Sequence, residues 1–252
     1  MSGHSKWSTI KRKKAAEDAK RGKIFTRLAR EIAIAAREGG GDPETNFSLR
    51  LVVDKAKAAN MPKENIERAI KRGTGELEGG EELVEVMYEG YAPNGVALLI
   101  QVLTDNKNRT VADIRRVLTR QGGSMADAGA VLWQFERKGY IAVEPDGVDT
   151  EVIFDVAVEA GADDVVFGDY MVEVYADPEH FQGVRQALQD AGIECETAEL
   201  SMIPKAMMQL DEKATLQVMG IIDALEDLDD TQQVYSNLDI SDDVMQRYEV
   251  AA

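Results

Sequence analysis

The sequence predicts an α+β chain of several domains: an N-terminal three-helix domain followed by two split-βαβ (ferredoxin-like) α/β domains, the last inserted in the middle one. Apolar residues recur at helical spacing up to about residue 72, the period turns strand-like beyond Gly80, and the α/β elements there divide unevenly. The expected bounds are residues 1–79 for a basic arm and helical domain, 80–138 plus 205–252 for a discontinuous middle domain, and 139–204 for the insert. With 252 residues, 44% of them hydrophobic, each domain can bury its own core without staples.

Residues 1–22 carry Lys11-Arg12-Lys13-Lys14 and Lys20-Arg21-Gly22 but few apolar residues, and read as an arm with some helix. From Lys23 onward, Phe25, Leu28, Ala29, Ile32, Ala35 and Ala36 define an inward helical face, with Lys23, Arg27, Arg30 and Arg37 on the other side. Gly39-Gly40-Gly41 ends this helix. A second runs from Asn46 to Ala59 and buries Leu49, Val52, Val53 and Ala56. Asn60 suits a left-handed stop, and Pro62 suits the first turn of a third helix that reaches Arg72 with Ile66, Ala69 and Ile70 inward. Thr74–Gly80, rich in Gly and Glu, is the linker.

Strands follow at Leu83–Tyr91 and Val96–Leu103, joined by Ala92-Pro93-Asn94-Gly95, whose Asn-Gly step is a hairpin signal. A helix over Thr110–Gln121 and strands near Ala130–Phe135 and Tyr140–Glu144 come next. Helix Thr150–Ala160, strands Val165–Gly168 and Met171–Tyr175, helix Pro178–Ala191 and strand Glu196–Ile203 form another α/β unit. A helix over Asp211–Leu225 and a strand over Gln233–Leu238 are left over. A split-βαβ sheet needs two helices on one face, and the unit beginning at Gly80 has one before residue 145. The leftover pair therefore returns to complete it.

Charge is divided too. Residues 1–75 hold eighteen Lys and Arg against nine Asp and Glu, and the remainder holds eleven against thirty-seven. A module of net +9 is thus joined to a body of net −26, and the overall −17 hides both. Such a module can hold a polyanion while the acidic body limits nonspecific adhesion. In the arm, His4, Lys6, Trp7, Lys11, Arg12, Lys13 and Lys14 combine phosphate-neutralising charge with an aromatic face for a base or sugar. Lys20, Arg21, Lys23, Arg27 and Arg30 extend this along the first helix. The competing reading is a solubilising face that folds back onto the acidic body.

A basic island interrupts the acidic part: Asn106, Lys107, Asn108, Arg109, Arg115 and Arg116, with Arg120 beyond. Asn108 or Thr110 can cap the helix there and leave amides for a phosphate. A capped helix with internal salt bridges is the alternative. If arm and island face the same way, they form one split polyanion site. Ala56, Asn60, Met61, Ile66 and Ile70 are also spaced loosely like a helix-turn-helix, which would expose Lys63, Asn65, Arg68 and Lys71 to a groove. Lys55 at an apolar position, and Glu64 and Glu67 beside phosphate, favour an ordinary helical hairpin equally.

Enzymatic signatures are missing from the sequence. Gly22-Lys23 lacks the earlier glycine of a phosphate loop, and Glu78 replaces the third glycine after Gly73 and Gly75. Asp227, Asp229 and Asp230 lack the glycine and distal glutamate of a calcium loop and read as a solvated helix end. Cys195, His4 and His180 cannot build a disulfide or a zinc cluster, and neither histidine is placed as a preorganised base. No apolar run resembles a signal peptide or spans a bilayer. The expectations are no catalysis, no cofactor, no metal, no small-molecule substrate and no membrane, in a monomer of the reducing cytoplasm.

Several blocks also stand in a recognisable order: Gly3-His4-Ser5-Lys6-Trp7, Asp18-Ala19-Lys20-Arg21-Gly22-Lys23, Gly39-Gly40-Gly41-Asp42-Pro43, Tyr88-Glu89-Gly90-Tyr91, Thr104-Asp105-Asn106-Lys107-Asn108-Arg109-Thr110 and Ser201-Met202-Ile203-Pro204. They closely resemble the YebC/PmpR family over essentially the whole chain. The resemblance implies three domains and a DNA-binding transcriptional regulator. It also implies relatives that act in translation, among them the mitochondrial translational activator of cytochrome c oxidase subunit I and bacterial proteins linked to relief of ribosome stalling. The expected function is a non-enzymatic, nucleic-acid-binding regulator of gene expression, first as a DNA-binding transcriptional regulator. The alternatives are a ribosome-associated translation factor holding ribosomal RNA and, in a different class, a protein–protein adaptor using the acidic sheets.

Overall fold

A computed structural model describes residues 18–77, 83–145, 148–168, 171–241 and 244. The chain divides into two compact units, one holding the described residues of 18–128 and 217–234, the other those of 129–216 and from 235 onward.

The first unit begins with three helices: α1 (Asp18–Gly39), α2 (Phe47–Ala58) and α3 (Lys63–Gly73). Their inward faces are the expected ones. Leu28, Ile32, Leu49, Val53, Ala56 and Ile66 form the buried centre, while Phe25, Ala29, Val52 and Ile70 pack half-buried against it. The Gly39–Gly41 break works through Asn46. Its Oδ1 accepts from the Leu49 amide at 3.0 Å, and its Nδ2 donates to the Ala35 and Gly40 carbonyls at 2.8 Å each. The first turn of α2 is thereby tied to the last turn of α1. At the end of α2, Asn60 adopts φ 58°, and the Met61 amide reaches back to the Ala56 carbonyl at 2.9 Å. This is the left-handed stop that the asparagine allows. Gly73 sits where a Cβ would come within 2.2 Å of the Ala33 carbonyl oxygen, so α3 closes on α1 to backbone distance.

Strands β1 (Val84–Tyr91) and β2 (Ala97–Thr104) pair antiparallel, Tyr88 opposite Ile100, through a turn with Asn94 at φ 64° and Gly95 at φ 84°. Helix α4 (Lys107–Arg120) and a short β3 (Ser124–Met125) follow, β3 pairing antiparallel with β1. After the excursion into the second unit, β9 (Thr231–Ser236) returns beside β2, giving the sheet order β3-β1-β2-β9. The return is the expected one, because β2 buries seven of its eight side chains and cannot remain an edge.

The second unit contains β4 (Phe135–Val143), α5 (Thr150–Glu159), β5 (Asp164–Phe167), β6 (Val172–Ala176), α6 (Phe181–Asp190) and β7 (Cys195–Pro204). Its sheet order is β5-β6-β4-β7 with every neighbour antiparallel, which is the split-βαβ arrangement. Two short strands, β8 (Met208–Gln209) and β10 (Leu238–Asp239), pair in parallel on either side of α7 (Glu212–Glu226) in sequence. One expectation needs correction: Ala130–Phe135 and Tyr140–Glu144 are not two strands. Leu132–Gln134 is a 3₁₀ turn, and β4 runs unbroken through Arg137-Lys138-Gly139. Gly139 does not break the strand. It clears space for the fully buried Phe181, whose ring would lie 2.5 Å from a Cβ there.

Candidate nucleic-acid interface

His4, Lys6, Trp7, Lys11, Arg12, Lys13 and Lys14 lie outside the described residues. Lys20 and Arg21 belong to α1 by their backbone, with their side chains outside the description. The remaining candidates fall on α1 and on the start of α4.

Helix α4 begins earlier than Thr110. Its N-cap is Asn106, whose Oδ1 accepts from the Arg109 amide at 3.1 Å, so Lys107, Asn108 and Arg109 form the first turn. All three are exposed, and no acidic residue stands in that turn. Cations at a helix N-terminus oppose the macrodipole by a few tenths of a kcal/mol or more each. At Arg109 this cost is offset by the carboxylates of Asp105 and Asp230, and at Lys107 no ion pair among the described residues offsets it. Arg115 and Arg116 are exposed about two turns further on, Arg116 paired with Asp113 at 3.0 Å.

The α1 and α4 groups converge on one acidic segment, Asp227–Asp230. Lys23 Nζ donates to the Asp227 carbonyl at 3.1 Å, with the Asp227 carboxylate 3.7 Å away. Arg30 Nη1 donates to the Asp229 carbonyl at 2.8 Å and lies 3.4 Å from Asp230 Oδ1. Arg109 Nη2 donates to Asp105 Oδ1 at 2.6 Å and to Asp230 Oδ2 and Oδ1 at 2.8 and 3.1 Å. Arg27 is half-buried on the same helix as Lys23 and Arg30. Lys107 and Arg115 are in no ion pair among the described residues.

Asp230 is the residue that sequence reasoning missed. Asp227 and Asp229 are exposed, as a solvated helix end requires, but Asp230 is only 6% exposed. Its Oδ2 also accepts from Thr104 Oγ1 at 3.0 Å and Thr110 Oγ1 at 2.7 Å, while its carbonyl accepts from the Leu103 amide. Burial pushes its pKa up, but hydrogen bonds from Arg109, Thr110 and Thr104 outweigh this and hold it below the ordinary 3.8. Arg109 is correspondingly raised above the usual guanidinium range, first by its hydrogen bond to Asp230 and then by that to Asp105. No local pattern marks Asp230, because its partners stand more than a hundred positions away.

The result is a hollow of about 540 Å³ lined by Arg30, Arg109, Arg116 and Thr110 on one hand and by Asp105, Asp113 and the Asp227–Asp230 segment on the other. Basic groups of α1 and of the island meet there and are partly neutralised by internal carboxylates, while the arm, on which the split-site expectation turns, lies outside the described residues. Among the described residues, no helix is long and apolar enough to cross a membrane.

Comparison with known proteins places this arrangement in a family. Residues 5–76 match the model of the TACO1/YebC protein N-terminal domain, and residues 83–238 match that of the TACO1/YebC second and third domain. A protein of Geobacter sulfurreducens named "probable transcriptional regulatory protein" is 54% identical over 98% of this chain and 99% of its own length. A relative of the same name from Rubrobacter xylanophilus is 52% identical over 97% and 98% of the two chains. The crystal structure of a conserved hypothetical protein from Aquifex aeolicus superposes with a TM-score of 0.82 at 46% identity, covering 89% of this chain and 93% of that one. Two family models that together match residues 5–76 and 83–238, and relatives of like length more than half identical, show that the chain belongs to the TACO1/YebC family of regulatory proteins.

Proposed function

We propose that this chain is a non-enzymatic, cytoplasmic regulator of gene expression that acts as a monomer and grips nucleic acid with residues 1–79 and the α4 island. The single observation that carries this reading is the convergence of Lys23, Arg30 and Arg109 on Asp227–Asp230. It brings two basic elements remote in sequence to one face. The cations in the first turn of α4 and the +9 charge of residues 1–75 support it. The printed names of the relatives favour a transcriptional regulator, and therefore DNA, as the first partner.

Structured RNA, and with it a ribosome-associated role, is the second reading. The face of α3 that a helix-turn-helix would turn to DNA carries exposed Glu64 and Glu67 among its cations, with Lys63 held by Glu67 at 3.6 Å. Two carboxylates in a major groove repel phosphate, whereas a shape-reading surface tolerates them at its margin. The test is recovery of the tagged protein from cells with and without RNase. Enrichment of promoter DNA that survives RNase supports the first reading, ribosome co-sedimentation abolished by RNase supports the second, and recovery of neither overturns both. In vitro, replacing Lys11, Arg12, Lys13 and Lys14 together by Ala lowers the slope of log affinity against log salt by about three to four for duplex DNA. An unchanged slope removes the arm from the grip.

A further inference from the structure

A second hollow, of about 390 Å³, lies between α1 and α3. Its floor is apolar: half-buried Phe25 and Ala29 from α1, with buried Met61 and Ala69 from the turn before α3 and from α3 itself. Its rim is cationic. Arg68 and Arg72, one turn apart on α3, are both exposed, and Asn65 stands beside them with its Oδ1 accepting from Arg68. Among the described residues, no carboxylate lines it. This sets it apart from the hollow around Asp230, where the arginines already have acidic partners.

From this we infer that the α1/α3 hollow takes one unpaired nucleotide of a bound strand, its base against Phe25 and Met61 and its phosphate on Arg68 and Arg72. The inference rests on the nucleic-acid reading proposed above and deepens it. An apolar floor selects a flat, poorly hydrated group, a rim whose described charges are Arg30, Arg68 and Arg72 selects an anion, and a nucleotide offers both within one residue. The volume falls in the range of about 300–1,000 Å³ typical of small-ligand sites. Base–aromatic stacking tolerates any sequence, and arginine planes add to it. Arg30 lines both hollows. A strand whose phosphates exchange with Asp230 at one side of Arg30 therefore meets the apolar floor at the other. A duplex keeps its bases stacked inside and cannot use that floor.

The test measures binding of the full chain to a fluorescent single-stranded oligonucleotide containing 2-aminopurine and to the blunt duplex of the same sequence, at one salt concentration. The expected result is an altered 2-aminopurine signal and a preference for the strand. The double variant Arg68→Ala/Arg72→Ala should weaken strand binding about tenfold more than it weakens duplex binding. Phe25→Leu keeps the core filled and should lose the 2-aminopurine signal; thermal melts identify variants that lose the fold instead. Equal weakening of strand and duplex, or no weakening of either, overturns the inference while leaving the nucleic-acid reading intact. Failure of the wild type to bind either probe at low salt overturns that reading, and this one with it. Displacement of the strand by free adenosine monophosphate would make the hollow a site for small nucleotides and refute the strand assignment.

Discussion

Replacing Asp230 by Ala removes the acceptor shared by Thr104, Thr110, Arg30 and Arg109. The two hydroxyls decide the cost, since Thr104 is fully buried and Thr110 is 2% exposed. Thr104 can turn its proton to Thr110 Oγ1 at 2.8 Å and Thr110 its proton to the Asn106 carbonyl at 3.1 Å, so neither is wholly orphaned. Each loses a bond to a charged acceptor worth about 1.5–3 kcal/mol when intact, and partial compensation leaves about 2–4 kcal/mol in total. Arg109 is 46% exposed and returns to water, so it adds little. At about 2–4 °C per kcal/mol the melting temperature falls by about 5–15 °C. The assay is thermal and urea unfolding followed by circular dichroism. A shift under about 2 °C would refute the assignment of Asp230 as a buried anchor. The pH dependence has a fixed sign. Because the folded pKa lies below the ordinary 3.8, the contribution is complete above the unfolded value and disappears as pH falls through the folded one. Wild type and Asp230→Ala should therefore converge in acid. The milder Asp230→Asn keeps shape and an acceptor while releasing two arginines, so it should bind polyanions more tightly and raise the salt slope by about one to two. Loss of affinity in a folded Asp230→Asn would remove Arg30 and Arg109 from the grip.

Gly73→Ala tests the close approach of α3 to α1. At an exposed helical site this change stabilises by about 0.5–1 kcal/mol, but a methyl group 2.2 Å from the Ala33 carbonyl should instead destabilise by about 1–3 kcal/mol, measured by urea unfolding. Cys195 should be inert: burial, reinforced by Glu194 and opposed by Arg185, pushes its thiol up to about 11 from 9.0. At pH 8, alkylation by iodoacetamide should be about a hundredfold slower in the folded protein than after denaturation, and equal rates would refute this.

The helical domain was legible because its signals are local. The apolar period of Leu28, Ile32, Leu49 and Val53, the Asn60 stop and the Asn94-Gly95 turn each act within a few residues. The return of β9 to the first sheet was legible by counting helices against sheets. The start of α4 was misplaced by three residues, because exposed Lys107, Asn108 and Arg109 carry no apolar period and Asn108 and Thr110 offered themselves as caps in place of Asn106. The single strand β4 was read as parts of two, and the sequence shows a missing side chain at Gly139 but not the Phe181 ring that fills its place. At the candidate site, charge type and approximate position were readable for Lys23, Arg30 and Arg109. Their common partner was not, since a buried aspartate and a solvated one look alike until the chain is folded.

The separation of Thr104 from Asp230, 126 positions, also has a consequence for synthesis. At about 5–20 residues per second, β2 emerges about 6–25 s before the strand that covers its edge. Meanwhile the β4–β7 sheet can close on itself from consecutive segments. During that interval the apolar run Ala97–Leu103 is an open template for misassociation, and Arg30 and Arg109 lack their internal counter-ion. A chain truncated before Asp227 is held in that state permanently. Such a fragment should aggregate, and any tight binding of nucleic acid by it would reflect missing neutralisation rather than a separable binding module.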